Sequence, residues 1–412
     1  MRQAGTATLP DFRSESFLRA HIAHTMNFYH PRAIDPRGGF YHYFTDDGTV
    51  YDAHHRHLVS SARFVFNYAM AAREFKEQRA EYLQAARHGL AYLRDRHRDA
   101  ATGGYAWTLR DGMPEDRTNH AYGVAFVLLA YACALRAGIG EARAWLEESW
   151  QLLESRYWEA RFGLYRDEAD GAWQFSSYRG QNSHMHLCEA LLAAYQASGA
   201  PRYLERALLI ADHMTRRQAG KAGDLVWEHY DAGWNVDWDY HREDPRHLFR
   251  PWGFQVGHQS EWAKLLLILA EELSGRGAPP EWLLPRALQL FDTAVARGWD
   301  AECGGLYYGF APDGAVCDDD KYFWVQAESL AAAARLARAT SDERYWQWYQ
   351  RLWEYAWQHF VDHRYGAWFR ILDRGNRKYS HEKSPAGKTD YHTMGACHEV
   401  LQLLRRSAAA PA

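Results

Sequence analysis

The fold this 412-residue sequence predicts is all-α: an (α/α)6 barrel with short β-hairpins gathered at one rim. Three observations lead there. One phrase, glycine followed by aromatics and an Asp-Gly or Gly-Asn turn, recurs along the chain. Six Ala- and Leu-rich segments are apolar over most of a helical circumference. Between them lie charged, amphipathic segments, so buried and half-buried helices alternate.

The recurring phrase reads "GGFYHYFTDDGTV" from Gly38, "GGYAWTLRDGM" from Gly103 and "FGLYRDEADGAW" from Phe162. It returns as "GGLYYGFAPDGAV" from Gly304 and "YGAWFRILDRGN" from Tyr365. Alternating aromatics around residues that accept positive φ make a short hairpin. A polar stretch follows each copy, and then an apolar helix. These helices begin "RHLVSSARF" at Arg56, "NHAYGVAF" at Asn119, "NSHMHLCEA" at Asn182, "GHQSEWAK" at Gly257, "FWVQAESL" at Phe323 and "DYHTMGACHE" at Asp390. Their apolarity on nearly every side predicts an inner layer. "AEYLQAARHGLAYLRDRH", "EARAWLEESWQLLESRYW", "PRYLERALLIADHMTRR", "PEWLLPRALQLFDTAVARG" and "DERYWQWYQRLWEYAWQHF" keep one polar face and predict an outer layer.

The unit repeats about every 60 residues, apart from a longer fourth copy, which indicates one repeat-built domain over 1–412. An open α-solenoid is the alternative, but six units with aromatic-rich connectors favour closure. The extra length of the fourth copy, "EHYDAGWNVDWDYHREDPRHLFRPWG", precedes His258 and reads either as a lid or as a surface excursion.

Composition narrows the function. Net charge is −4 with no long basic run, so neither nucleic acid nor an anionic membrane is an expected partner. Five scattered cysteines without a CxxC pair argue against a disulfide framework or zinc site and fit a reducing cytoplasm. The N-terminal stretch has no apolar h-region, and the longest aliphatic run, "LLLILA", is too short to span a bilayer. A soluble, cytoplasmic protein is the expectation. With 18 Trp, 26 Tyr and 22 His, the chain is rich in the rings that match the C–H faces of sugars.

Closure would aim the start of each inner helix at one cavity. There the polar exceptions collect: Arg56, then Asn119 and Tyr122, then Asn182, His184, His186 and Glu189, then His258 and Glu261, then Trp324 and Glu328, and finally His392. Asn182 and His186 are i,i+4, and His258 and Glu261 are i,i+3, so each pair shares a helix face. Any one of these side chains could be a satisfied structural group. A ring of them at the same level of six apolar helices points instead to a solvated polyol site, because each unpaired buried polar group costs about 1–3 kcal/mol. His184 and His186 lie two apart on a helix and face different ways, and no HExxH pattern is present, so no metal is expected.

"NSHMHLCEA", "GHQSEW" and "DYHTMGACHE", with "RHLVSSARFVFNYA" upstream, resemble the N-acylglucosamine 2-epimerase superfamily, which also holds cellobiose 2-epimerases and bacterial aldose–ketose isomerases. The matching segments run from about Arg56 to Glu399. "HEKSPAGKTDYH" is most similar to the D-mannose isomerase branch, and Gly387 stands where the disaccharide epimerases carry a tryptophan platform. The resemblance implies His258 and His392 as the acid/base pair. It implies Arg56, Asn182, His186 and Glu261 as substrate-binding or supporting residues, with Tyr122, Trp324 and Arg250 alongside. It implies no cofactor, and a monosaccharide as the partner of a monomer or homodimer.

The expected reaction interconverts D-mannose and D-fructose, with D-lyxose and D-xylulose as a further pair, by ring opening and C2-to-C1 proton transfer through a cis-enediol. Histidine suits both directions of proton transfer near neutrality. His392 is assigned the C2/C1 transfer and His258 the ring opening, the reverse assignment being open. Arg56 is expected to face the enediolate oxygens, and Glu261 to hold His258 in one tautomer. Sugar 2-epimerisation in the same pocket is the alternative. An (α/α)6 glycoside hydrolase, which needs two carboxylates across the bond, or a non-catalytic sugar-binding module, is more remote.

Overall fold

The computed structural model describes residues 9–247 and 249–409, with side chains through residue 406. Residues 1–8, 248 and 410–412 of the expected 1–412 unit lie outside them. Twelve α-helices are found among the described residues. The inner layer is α2 (Leu58–Glu74), α4 (Ala121–Arg136), α6 (Gln181–Ser198), α8 (Val256–Ser274), α10 (Phe323–Thr340) and α12 (Tyr391–Ala409). The outer layer is α1 (Glu15–Tyr29), α3 (Arg79–Tyr92), α5 (Ala142–Leu152), α7 (Pro201–Asp212), α9 (Leu283–Gly298) and α11 (Glu343–His359).

Each inner helix packs on the next, and α12 packs back on α2, so the ring closes. Five outer helices follow their inner partners in sequence. The sixth place is taken by α1, from the N-terminal stretch, which packs on α12 at the other end of the chain. One continuous apolar core runs between the layers.

The hairpins form the rim, and their pairing is not local alone. The short strand that leads into each inner helix pairs antiparallel with the hairpin of the following unit. His55–His57 pairs with Thr108–Arg110, Asn119–His120 with Glu168–Ala169, and Arg179–Gly180 with His229–Tyr230. Phe254–Gln255 pairs with Gly309–Phe310, and Lys321–Tyr322 with Ile371–Leu372. The sixth lead-in, Glu382–Ser384, returns to Tyr43–Thr45 of the first hairpin. The first turn of every inner helix is therefore held at one height by its neighbour, which is what makes a common cavity.

Candidate active site

The inner-helix starts converge on a cavity of ≈ 110 Å³. His258, on the first turn of α8, and His392, on the first turn of α12, both line it. Trp324 of α10 stands between them, its indole 5.0 Å from the His258 ring and 5.6 Å from the His392 ring, each pair tilted by 35°. Gly257 makes room for that indole: a Cβ there would meet the Trp324 ring at 2.3 Å. Tyr122, Asn182, His186 and Glu261 complete the inner wall.

A carboxylate holds each histidine by the same nitrogen. Nδ1 of His392 lies 2.6 Å from Glu328 Oε1, and Nδ1 of His258 lies 2.9 and 3.0 Å from the two oxygens of Glu228. A carboxylate only accepts, so at His392 Nδ1 carries the proton and Nε2 is left bare as the base; at His258 the Gln181 amide nitrogen also stands 2.8 Å from Nδ1, beside the Glu228 carboxylate. Glu228 is itself fixed by Gln181, whose amide donates to Oε2 at 2.8 Å and accepts from the Trp262 indole at 2.8 Å. Burial, with the neighbouring Arg63 and His186 adding to it, keeps the His392 pKa well below its usual value, so this imidazole is neutral at physiological pH. His186 is likewise lowered by burial, while its Nδ1 sits 3.0 Å from Glu189.

Two carboxyls under the cavity behave differently from surface acids. Glu261 is fully buried, and neither of its oxygens has a hydrogen-bond partner among the described residues. Burial and then the charge of Glu328 push its pKa well above the ordinary range, which favours a neutral carboxylic acid able to donate. Glu328 is also raised by burial, but Lys264 is foremost among the groups that pull it back down.

Positive charge enters from two sides. Arg63, buried on α2, donates to the Gly387 carbonyl and, at 3.3 Å, to the Tyr122 hydroxyl. Its guanidinium lies over the Phe126 and Tyr391 rings at 4.3 and 4.8 Å. Lys388 and Arg370 line the outer wall. Burial lowers the Lys388 pKa to about 8, even with Asp390 2.5 Å away. Asp390 adopts φ +52 immediately before α12 and is held there by Tyr29, whose hydroxyl donates at 2.7 Å, and by the Trp368 amide at 3.2 Å. That turn sets the height of His392 two residues later. Gly387 has φ +83 and open space where a Cβ would point, so the wall is thin at this position.

The comparisons bear on this arrangement. The N-acylglucosamine 2-epimerase (GlcNAc 2-epimerase) profile matches residues 39–396. The chain belongs to the N-acylglucosamine 2-epimerase family. A D-mannose isomerase from Marinomonas mediterranea is 55% identical over 397 residues, 96% of this chain and 99% of the relative. A crystal structure of a D-mannose isomerase superposes with a TM-score of 0.93 at 55% identity, covering 96% of this chain and 100% of that one. The cellobiose 2-epimerase of Spirochaeta thermophila matches with a TM-score of 0.84 at 25% identity over 98% of this chain and 100% of its own.

In this N-acylglucosamine 2-epimerase fold, seven of the nine expected site residues meet at the cavity: His258, His392, Asn182, His186, Glu261, Tyr122 and Trp324. Arg56 does not. It sits in the lead-in strand His55–His57, where successive side chains point to opposite faces. His57 takes the cavity side, and Arg56 points away to pair with Asp35 at 2.6 Å and with the Ala53 carbonyl at 3.0 Å. The guanidiniums that line the cavity are those of Arg63, on the inner wall, and Arg370, on the outer. Arg250 is also elsewhere. It pairs with Glu168 and lies over the Tyr178 ring at 3.9 Å, in an adjoining cavity that shares Tyr122, Asn182 and Phe249 with the first. Glu261 does not hold His258; Glu228 does.

Asn119 and His184 are structural. Asn119 accepts from the Tyr105 amide and donates to the Asp170 carbonyl, tying two rim loops. His184 accepts from the Tyr165 amide at 2.9 Å. The fourth-unit segment reaches the site: it supplies Glu228 at its start, and its Phe249 and Pro251 line the cavity. His186, Glu189 and Glu261 bring ligand-type atoms within 4.8 Å of one another, as do Glu261, Glu328 and His392. Sequence spacing did not anticipate these groupings, because each joins different helices, α6 with α8 in the first and α8, α10 and α12 in the second. Lys264, 2.6 Å from Glu328, supplies a positive charge from within. Arg63, Glu228 and Lys264 were all visible as charges inside or beside apolar runs, and that is the signal that could have found them.

Proposed function

We propose that this chain is an aldose–ketose isomerase that interconverts D-mannose and D-fructose. The observation that carries the reading is the pair of carboxylate-held imidazoles, His258 and His392, on either side of Trp324 in one cavity. The high identity to D-mannose isomerases along nearly the whole chain supports the choice of sugar.

In this reading His258, held by Glu228, opens the ring by moving protons between the ring oxygen and the anomeric hydroxyl. Nε2 of His392 then takes the C2 proton. The C2–H electron pair forms the C1=C2 double bond, and the carbonyl pair moves to O1. Arg63, and not Arg56, is the guanidinium placed to stabilise the resulting enediolate. The O2 proton passes to O1, His392 returns its proton to C1, and a C2 ketone results. Glu328 offsets the charge His392 carries between the two steps. Asn182, Tyr122, His186 and a neutral Glu261 would orient the hydroxyls, with Trp324 against a C–H face. Hydrogen that leaves C2 returns to C1, so no redox cofactor takes part. The unit that acts is the whole barrel, 1–412 as one domain, and five cysteines without a disulfide suit a cytoplasmic enzyme.

The test is D-mannose in deuterated water. Fructose labelled at C1, or fructose formed by direct transfer without label, supports isomerisation. Glucose labelled at C2 would overturn it in favour of 2-epimerisation.

A further inference from the structure

Beneath the cavity, α8 carries a lysine inside the barrel. Lys264 is 3% exposed, and its Nζ lies 2.6 Å from Glu328 Oε2 and 3.2 Å from Glu399 Oε1. Glu328 uses its other oxygen on His392 Nδ1, at 2.6 Å. A continuous line of charge therefore runs from the imidazole at the cavity to Glu399, whose second oxygen meets Arg335 at 3.1 Å. Lys264 does not line that cavity; with Glu328 and Glu399 it lines a second one.

The carboxyls facing its ammonium are Glu328 of α10, Glu399 of α12, Glu261 of its own helix and Glu189 of α6. Burial works against a charged lysine here, but these acids together outweigh it and keep Lys264 protonated. Glu189 is otherwise occupied by His186 and by the Tyr391 hydroxyl, and Glu261 makes no hydrogen bond and stands 3.7 Å from His186 Nδ1, so the direct contacts of Lys264 go to Glu328 and Glu399.

We propose that Lys264 is a positioning residue for the reaction: its ammonium holds Glu328 as a carboxylate and so keeps the His392 ring proton on Nδ1, leaving Nε2 bare as the base. This rests on the isomerase reading above. The physical argument is a proton count. An anionic Glu328 accepts from Nδ1 and leaves Nε2 bare. A neutral Glu328 has a proton to donate to Nδ1, which moves the ring proton to Nε2 and disables the base. Even with the proton kept on its far oxygen, a neutral acid no longer stabilises the imidazolium formed after C2 is deprotonated.

The test is the pH profile of kcat for D-mannose isomerisation by Lys264→Met, Lys264→Arg and Glu399→Gln. Losing an opposite charge at this range moves a carboxyl pKa up by about one to three units. Lys264→Met is therefore expected to lose about 100-fold in kcat at pH 7 and to regain activity toward alkaline pH as Glu328 ionises. Lys264→Arg should restore the wild-type acidic limb. Glu399→Gln, at a partly exposed position, leaves Lys264 to Glu328 alone and should move the limb toward lower pH. It keeps the test alive if Lys264→Met fails to fold. Ring opening, read as exchange between the mannose anomers, should be unchanged in every variant, because His258 and Glu228 lie apart from this line. An acidic limb unmoved in Glu399→Gln, or unmoved in a folded Lys264→Met, overturns the proposal. Wild-type enzyme inactive on mannose would instead overturn the isomerase reading.

Discussion

Replacing Glu228 with Gln changes one oxygen to an amide and removes one charge from the group that holds His258. Glu228 is 3% exposed, and the His258 nitrogen sits 2.9 and 3.0 Å from its two oxygens. At 3.0 Å and an effective dielectric near 20, a carboxylate and an imidazolium attract by about 5 kcal/mol. The amide keeps the shape and loses that attraction whenever His258 carries a second proton. It also adds a second amide N–H at Nδ1 beside that of Gln181 and removes the carboxylate acceptor there, which drives the ring proton to Nε2. Exchange of a carboxylate for an amide behind a catalytic histidine costs up to about 10⁴-fold in turnover. The expected loss in kcat is about 10²- to 10⁴-fold, or about 3–5 kcal/mol of barrier. Initial rates of fructose formation measure it, and exchange between the α and β anomers of mannose, read by NMR, isolates ring opening. Both should fall while the circular dichroism spectrum is unchanged. A folded Glu228→Gln within about threefold of wild type in both assays would refute the assignment of Glu228 as the group that tunes His258.

Four further outcomes are expected. His392→Asn abolishes turnover while calorimetry still detects sugar binding. Arg63→Met lowers kcat by about 100- to 1000-fold. Arg56→Met leaves kcat near wild type but, by stripping the buried Asp35 of a partner, lowers stability by about 2–3 kcal/mol in urea titrations. Acid destabilises the fold through its buried histidines. Burial lowers His21 and His184 to about 3, and His97, His120, His229 and His398 to about 4. The unfolded chain protonates these rings near pH 6.5 while the folded chain does not, so stability falls as pH drops from about 6.5 toward 4. Asp167 and Asp318, raised by burial to about 6, act in the opposite sense and offset part of the loss. Urea midpoints measured across this range should decline steadily, and a flat profile would contradict the burial of these rings.

Of the seven expected residues that line the cavity, six, His258, His392, Asn182, His186, Glu261 and Tyr122, are polar exceptions near the starts of apolar helices. That pattern is local, so it can be read without a structure. Arg56 looked like one more exception, one residue before its neighbour on the cavity. It lies in the last strand before α2, and the two-residue alternation of a strand turns it to the far side. Arg63, one helical repeat further in, was passed over as part of an apolar run. Glu228 was out of reach for another reason: it stands 30 residues before His258 and meets it only because the lead-in to α6 pairs with His229–Tyr230.

What the sequence determined by itself was the sort of element and its order: six hairpins, buried helices alternating with half-buried ones, and a histidine at the start of the fourth and sixth inner helices. Those follow from hydrophobic period and turn chemistry, which act over a few residues. Tertiary structure alone decided that α1 fills the last place in the outer layer, that each rim strand is pinned by the next unit, and which acid holds which imidazole. These depend on contacts between residues tens to hundreds of positions apart, and a burial pattern says that a face is covered without saying by what.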